Sequence, residues 1–237
     1  MELPGAHFIK ILTLPFRVIK PFSYYNKMWL RLTLTKTGIK GEVMLHNPIR
    51  IENDRLLICP LNNRDLKGLE ALRCDQQVYI YEPTFLIELQ GLAETALEMI
   101  QKMDLYVNRQ CILGVYEKED PSVLIGLAEF YDFKPSGKII SIGYRFLSDY
   151  WGKGIASSCI SALLEYIQNN TKVEMVTAHV LSENKASARC LLKNGFEYLL
   201  TKTEDWGYGR SCEADIYTYD CEIAVCRDVR ANGQKAR

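Results

Sequence analysis

Apolar residues recur along the chain with two periods, and the changes from one period to the other mark its elements. Ile142, Tyr144 and Phe146 alternate with Ser141, Gly143 and Arg145, as in a half-buried strand, whereas Ile155, Cys159, Ala162, Leu163 and Tyr166 repeat at the spacing of an amphipathic helix. Upstream, Leu56 to Pro60 reads as a strand, Asn62 and Asn63 as the cap of a helix carrying Leu66, Leu69 and Leu72, and residues 91–104 as a second helix with Leu92, Ala96, Leu97, Ile100 and Met103 on one face. Cys111 to Tyr116, Val123 to Phe133 and Ile139 to Leu147 read as three antiparallel strands, separated by turn-like residues 117–122 and 134–138. Beyond the long helix, Lys172 to Leu181 is a strand, Ser182 or Asn184 caps another helix that stops at Gly195, and Tyr198 to Asp220 reads as two strands.

The segment Tyr150-Trp151-Gly152-Lys153-Gly154 joins the central strand to the long helix. Two glycines around one residue at a helix mouth let the backbone approach a ligand closely, and the helix's free N–H groups then point at an anion such as a diphosphate. The same pattern also serves as plain loop punctuation. Two other phosphate motifs are excluded, because the chain has no Gly-x-x-x-x-Gly-Lys-Ser/Thr and no third glycine at dinucleotide-fold spacing.

Composition narrows the class of function. The 237 residues are 48% hydrophobic and 24% charged, with a formal net charge of zero, as in an ordinary globular domain. No basic stripe argues for nucleic acid or an anionic membrane as an obligatory partner. The eight cysteines form no Cys-x-x-Cys pair and no zinc spacing, so no metal is expected; reduced cytoplasmic thiols are the first reading and a disulfide framework the second. Near the start, Lys10, Pro15, Arg17, Lys20 and Pro21 interrupt the apolar run Phe8 to Ile19 well short of a membrane span.

Ile142-Gly143-Tyr144 followed by Asp149 to Ala156 resembles the acetyl-CoA signature of the GNAT superfamily of N-acetyltransferases, in its RimJ/RimL-like branch. Asn184-Lys185-Ala186-Ser187, a helix and then Gly195-Phe196 resemble the branch's second motif, at the expected distance and in the expected order. The resemblance covers residues 44–220. Residues 1–43 are then an extension outside the catalytic fold, or alternatively an extra strand pair or partner-binding arm, since Trp29 to Thr35 alternates like a strand. Residues 221–237 are then a C-terminal tail, expected to be frayed over the polar, charged stretch Arg227 to Arg237.

This likeness implies an α/β (α+β) fold: a mixed, mostly antiparallel sheet of about seven strands, splayed between the fourth and fifth and flanked by about four helices. Acetyl-CoA would enter the splay, with Trp151, Gly152, Lys153, Gly154, Ile155 and Ala156 around its diphosphate and Phe146 and Leu147 along its pantetheine arm. Asp149 stands where the signature often has Gln or Arg, so backbone amides would carry the diphosphate. The acetyl carbonyl would meet an N–H near Phe146. Asn184 would hold the pantetheine amide. Many relatives use a helix Tyr as general acid, but Leu191 occupies that position, and the likeness then points to Ser187; its alternative reading is a mere first-turn residue. The branch's strand Glu is replaced by Ser141, which leaves Glu129 as candidate base or, equally, a solvated strand residue. His179 ranks lower because it is out of phase with Val180.

The likeness implies a primary amine as acceptor, either a peptide N-terminus or a small amine, amino acid or antibiotic, and because an amine attacks a thioester only as the free base, something must accept its proton. Tyr81 within the aromatic stretch Tyr79 to Phe85, and Glu204, Asp205, Trp206 and Tyr208 in the acidic, aromatic loop, would line its pocket, though the first group could equally be packed. A monomer or homodimer is expected. The competing class is a GNAT-like module that binds an acyl-CoA without turnover.

Overall fold

The computed structural model describes residues 48–81, 93–205 and 211–222. All lie in the second of the two units into which the chain divides, Met1–Gly38 and Ile39–Arg237. The expectations for residues 1–43, Glu82, Pro83, Phe85, Trp206 and Tyr208, and for the tail beyond Glu222, fall outside the described residues.

Two short strands open the fold, β1 (Ile51–Glu52) and β2 (Leu56–Cys59). The Asn62 side chain then accepts from the Arg64 N–H while the Asp65 carboxylate accepts from the Asn62 N–H, a reciprocal cap that starts a 3-10 turn leading into α1 (Leu66–Cys74). A short α2 (Gln76–Tyr81) occupies part of the segment that reads as a connection in the sequence, and α3 (Ala93–Gln101) falls inside the expected 91–104. The meander is β3 (Cys111–Glu117), β4 (Asp120–Lys134) and β5 (Ile139–Phe146). Helix α4 (Ile155–Asn170) crosses to β6 (Met175–Leu181), α5 (Lys185–Lys193) follows, and β7 (Glu197–Asp205) and β8 (Ser211–Asp220) close the sheet.

The eight strands lie in the order β1-β2-β3-β4-β5-β6-β8-β7, one more than expected because Ile51–Glu52 adds an edge strand; the described α-helices number five. Neighbours are antiparallel except β5 and β6, which run parallel across the α4 crossover. That pair holds only from Ile139–Met175 to Ser141–Thr177, although β5 continues to Phe146 and β6 to Leu181. The sheet therefore splays between the fourth and fifth strands of the sequence reading.

Helix α4 is anchored by Ile155, Cys159, Ile160, Leu163 and Ile167, all at most 1% exposed, against Phe130, Ile140, Ile142 and Val176. Each such aliphatic side chain contributes about 1.5–3 kcal/mol by leaving water, which holds the helix mouth rigidly against the splay. At the end of α5 the Phe196 N–H donates to the Leu191 carbonyl and the Gly195 N–H to Leu192, with Gly195 left-handed at φ 84.

One sequence expectation is corrected. The 141–146 strand is not half-buried: Ser141 is 3% and Arg145 8% exposed, as enclosed as Ile142 and Phe146 on the other side. Helices cover both faces of the central sheet, so alternation of polar and apolar residues separates two buried environments instead of core and water. Among the described residues no helix is long and apolar enough to cross a membrane, and no three His, Cys, Asp or Glu side chains gather as metal ligands. The described cysteines are free thiols.

Candidate active site

The glycine turn is built to present α4's first amides. Gly152 and Gly154 sit at φ 72 and 79, a left-handed conformation that costs an L side chain roughly 1–2 kcal/mol. Gly154 caps the helix without a side chain of its own, and the first amide bonded back to it is Ser158 N–H. The N–H groups of Ile155, Ala156 and Ser157 thus precede the helical ladder. Several side chains hold the turn. Trp151 Nε1 donates to the Phe146 carbonyl at 2.8 Å, and the Asp75 carboxylate accepts from the Ser148 N–H at 2.7 Å. Tyr81 stands beside Trp151, with ring centroids 6.3 Å apart.

Sequence reasoning missed one residue here. Arg55, just before β2, donates through Nη1 to the Lys153 carbonyl at 2.6 Å, and its Nη1 lies 3.6 Å from where a Cβ on Gly154 would stand. A guanidinium therefore reaches the turn from a strand nearly a hundred residues earlier. The neighbouring Asn53 amide donates to the Ser158 carbonyl and hydroxyl, tying the same segment to α4. A lone Arg after a strand carries no signal for this in the sequence.

Ladder alternation fixes what β5 offers to the splay. The Leu147 N–H donates to Ile125 at 3.0 Å, continuing the β4–β5 register, so odd-numbered β5 amides turn toward β4 and those of Ile142, Tyr144 and Phe146 turn toward β6. β6 has parted from β5 beyond Thr177. The amides of Tyr144 and Phe146 thus line the gap, whereas Leu147's is committed to the sheet.

On the α4/α5 side of the gap stand hydroxyls. Asn184 caps α5, its Oδ1 accepting from the Ser187 N–H at 3.1 Å. The Ser187 hydroxyl lies 2.8 Å from the Tyr144 hydroxyl, which is also 3.4 Å from the Ser187 carbonyl. Burial pushes the Tyr144 phenol above its ordinary pKa, with the Ser187 hydrogen bond working the other way. Ser182 does not cap; its hydroxyl donates to Asp215, which also accepts from Thr201.

On the opposite side stand charges. Glu129 is 7% exposed, which rules out the solvated strand residue. Its Oε1 accepts from Arg145 Nη2 at 3.0 Å, and its Oε2 is buried without a hydrogen-bond partner among the described residues. The carboxylate lies over Gly143, directly across the ladder, where a Cβ would collide with Oε1. That close approach explains the glycine of Ile142-Gly143-Tyr144. It also brings a carboxylate to β5, the strand on which Ser141 replaces the expected Glu. Ser141 itself hydrogen-bonds Thr177 at 2.7 Å.

His179 shares that face, two residues beyond Thr177. Its Nδ1 lies 3.0 Å from Glu204, which also pairs with Lys202 at 2.8 Å. Burial opposes ionisation of Glu204, but the hydrogen bonds from His179 and Lys202 prevail and hold its carboxyl below the usual range. Tyr81 at the end of α2, beside Trp151, and Glu204 on β7, both expected in the acceptor wall, thus stand with different partners. Asp205 ends β7 opposite Ser211.

Known proteins share this fold. Residues 55–197 match the model of an acetyltransferase (GNAT) domain. The uncharacterized N-acetyltransferase YoaA of Bacillus subtilis (strain 168) is 30% identical over 148 residues, 62% of this chain and 82% of that protein. A GNAT-family acetyltransferase from Bacillus anthracis superposes with a TM-score of 0.61 at 22% identity, covering 73% of this chain and 99% of that one. RimL, a ribosomal L7/L12 alpha-N-protein acetyltransferase in complex with coenzyme A, gives 0.62 at 16% identity, covering 73% and 98%. Spermidine N-acetyltransferase from Vibrio cholerae, in complex with CoA and spermine, gives 0.59 at 20%, covering 72% and 98%. The match across more than half of its length, on a sheet splayed at the glycine turn, makes this chain a member of the GNAT acetyltransferase family and an acyltransferase.

Proposed function

We propose that the chain is an acetyl-CoA-dependent N-acetyltransferase of the RimJ/RimL-like branch, acting on a cationic primary amine, with a peptide N-terminus as the preferred carrier. One observation carries the choice of turnover over mere acyl-CoA binding. The two groups absent from their motif positions, a strand Glu at Ser141 and a helix Tyr at Leu191, have spatial replacements in Glu129 over Gly143 and Tyr144 beside Ser187. A module kept only for binding has no use for both.

The turn fits a diphosphate because its glycines leave the helix amides open and Arg55 adds a cation nearby. Acetyl-CoA supplies the acetyl group as a thioester. The Phe146 amide donates to the developing oxyanion. The unpartnered Oε2 of Glu129 takes the ammonium proton, directly or through a water, and the same buried carboxylate selects a cation. Asn184 keeps its amide NH2 for the pantetheine arm while Oδ1 caps α5. Ser187 donates to the departing sulfur. Glu204 extends the negative character of the acceptor face.

The experiment is release of coenzyme A thiol from acetyl-CoA with a panel of Ser- and Ala-initiated peptides, amino acids and polyamines. Release with at least one amine is expected, peptides giving the highest kcat/KM. No release with any of them would mean a binding module, and a polyamine outrunning every peptide would move the acceptor to small amines.

A further inference from the structure

Ser187 is a poor acid by itself. Resting on the acetyl transfer proposed above, we infer that Tyr144 is the positioning residue of Ser187 and the source of the proton that leaves with the sulfur. An alcohol holds its proton about as tightly as water does, near 15.7, whereas a thiol ionises near 8.5 and a free phenol near 10, a value above which burial raises Tyr144. A serine donating alone to a thiolate works far uphill; a phenol behind it, still a stronger acid than the alcohol, narrows that gap.

The geometry is specific. The Tyr144 hydroxyl is 2.8 Å from Ser187 Oγ, a contact in which either oxygen can donate, and 3.4 Å from the Ser187 carbonyl; with the phenol donating to Oγ, the serine's own O–H is left to turn toward the gap. Helix α5 cannot supply a phenol at position 191, because Leu191 there is fully buried in the core. The sheet delivers it instead, from the strand whose Tyr144 amide also lines the gap. In the step, the amine nitrogen bonds to the acetyl carbon, the C–S bond breaks and its electron pair stays on sulfur. Ser187 Oγ gives its proton to sulfur and takes the phenolic proton. The phenolate recovers a proton from the one the amine gave up, through solvent.

Tyr144→Phe deletes only the hydroxyl. On the amine that supports release by the native chain, its kcat is expected to fall ten- to a hundred-fold, with acetyl-CoA affinity by calorimetry within twofold. Ser187→Ala should fall at least as far, and the double variant no further than Ser187→Ala, because the two hydroxyls act as one unit. A native rate for Tyr144→Phe, or losses that multiply in the double variant, would overturn the pairing while a slow Ser187→Ala keeps the acetyl-transfer reading. No release by the native chain with any amine overturns both. Should Tyr144→Phe lose the fold, Ser187→Thr tests the same pair: a near-native rate is expected, and a rate as low as that of Ser187→Ala refutes it.

Discussion

The two faces of the splayed sheet are chemically opposite at the gap. The α4/α5 face brings neutral hydroxyls and amides to the gap, from Tyr144, Ser187 and Asn184, around a helix mouth of open N–H groups. The other face brings Glu129 with Arg145, and His179 with Glu204 and Lys202. A low-polarity side suits a leaving group that must be hydrogen-bonded at the moment of departure. A charged side suits an arriving ammonium that must be bound and then deprotonated. A single strand serves both, since β5 presents Tyr144 to one face and Gly143, roofed by Glu129, to the other.

The division breaks if the charged face can be altered without cost to the rate. Glu129→Gln is expected to lower kcat by about a hundred- to ten-thousand-fold, the range for a general base, with acetyl-CoA affinity unchanged. Gly143→Ala, which forces the same carboxylate off Arg145 without removing it, should give a smaller loss in the same assay. If both variants instead weaken acetyl-CoA binding in calorimetry and spare kcat, the faces have been assigned the wrong way round.

Substitution on the anion-binding side should separate binding from rate. Gly154→Val must place a β-branched residue at φ 79 beside Arg55, which moves the first amides of α4. A rise in acetyl-CoA Kd of roughly ten- to a hundred-fold is expected from losing one charge-assisted hydrogen bond at about 1.5–3 kcal/mol. Unaltered calorimetric affinity would remove the turn from the site.

The smallest effect sharpens the charged face. Glu204 has its folded pKa below the unfolded value, so its contribution to stability is complete above about 4.3 and is lost as pH falls through the folded pKa. Glu204→Gln should therefore lower Tm modestly at neutral pH and leave it closer to the native value in acid. Melting curves across the acid range check this, and parallel curves for the two proteins would show that the carboxylate's pairing with His179 and Lys202 contributes nothing. Acceptor KM should rise in the same variant through lost attraction.

Legibility followed sequence distance. The meander, the crossover helix, the cap at Asn184 and the stop at Gly195 were all readable, because each depends on periodicity or on a residue's own backbone preference. The short helix Gln76–Tyr81 was not, since six residues carry too little periodicity to tell from a loop. Glu129 could be suspected from the missing strand Glu, but its burial could not: a strand covered on both faces has the same alternation as one half in water.

What the sequence determined by itself, then, is the order of elements, the glycine turn at a helix mouth and the family whose motifs these are. Those are local properties, encoded by neighbours within a few residues. Tertiary structure decided which side chains meet. Arg55 reaches the turn across ninety-eight positions, Tyr144 finds Ser187 across forty-three and Glu129 lies over Gly143 only because the β4–β5 register sets them opposite. The last two meetings depend on which face each alternation selects, and a one-residue shift of register would send Tyr144 or Glu129 to the other side of the sheet.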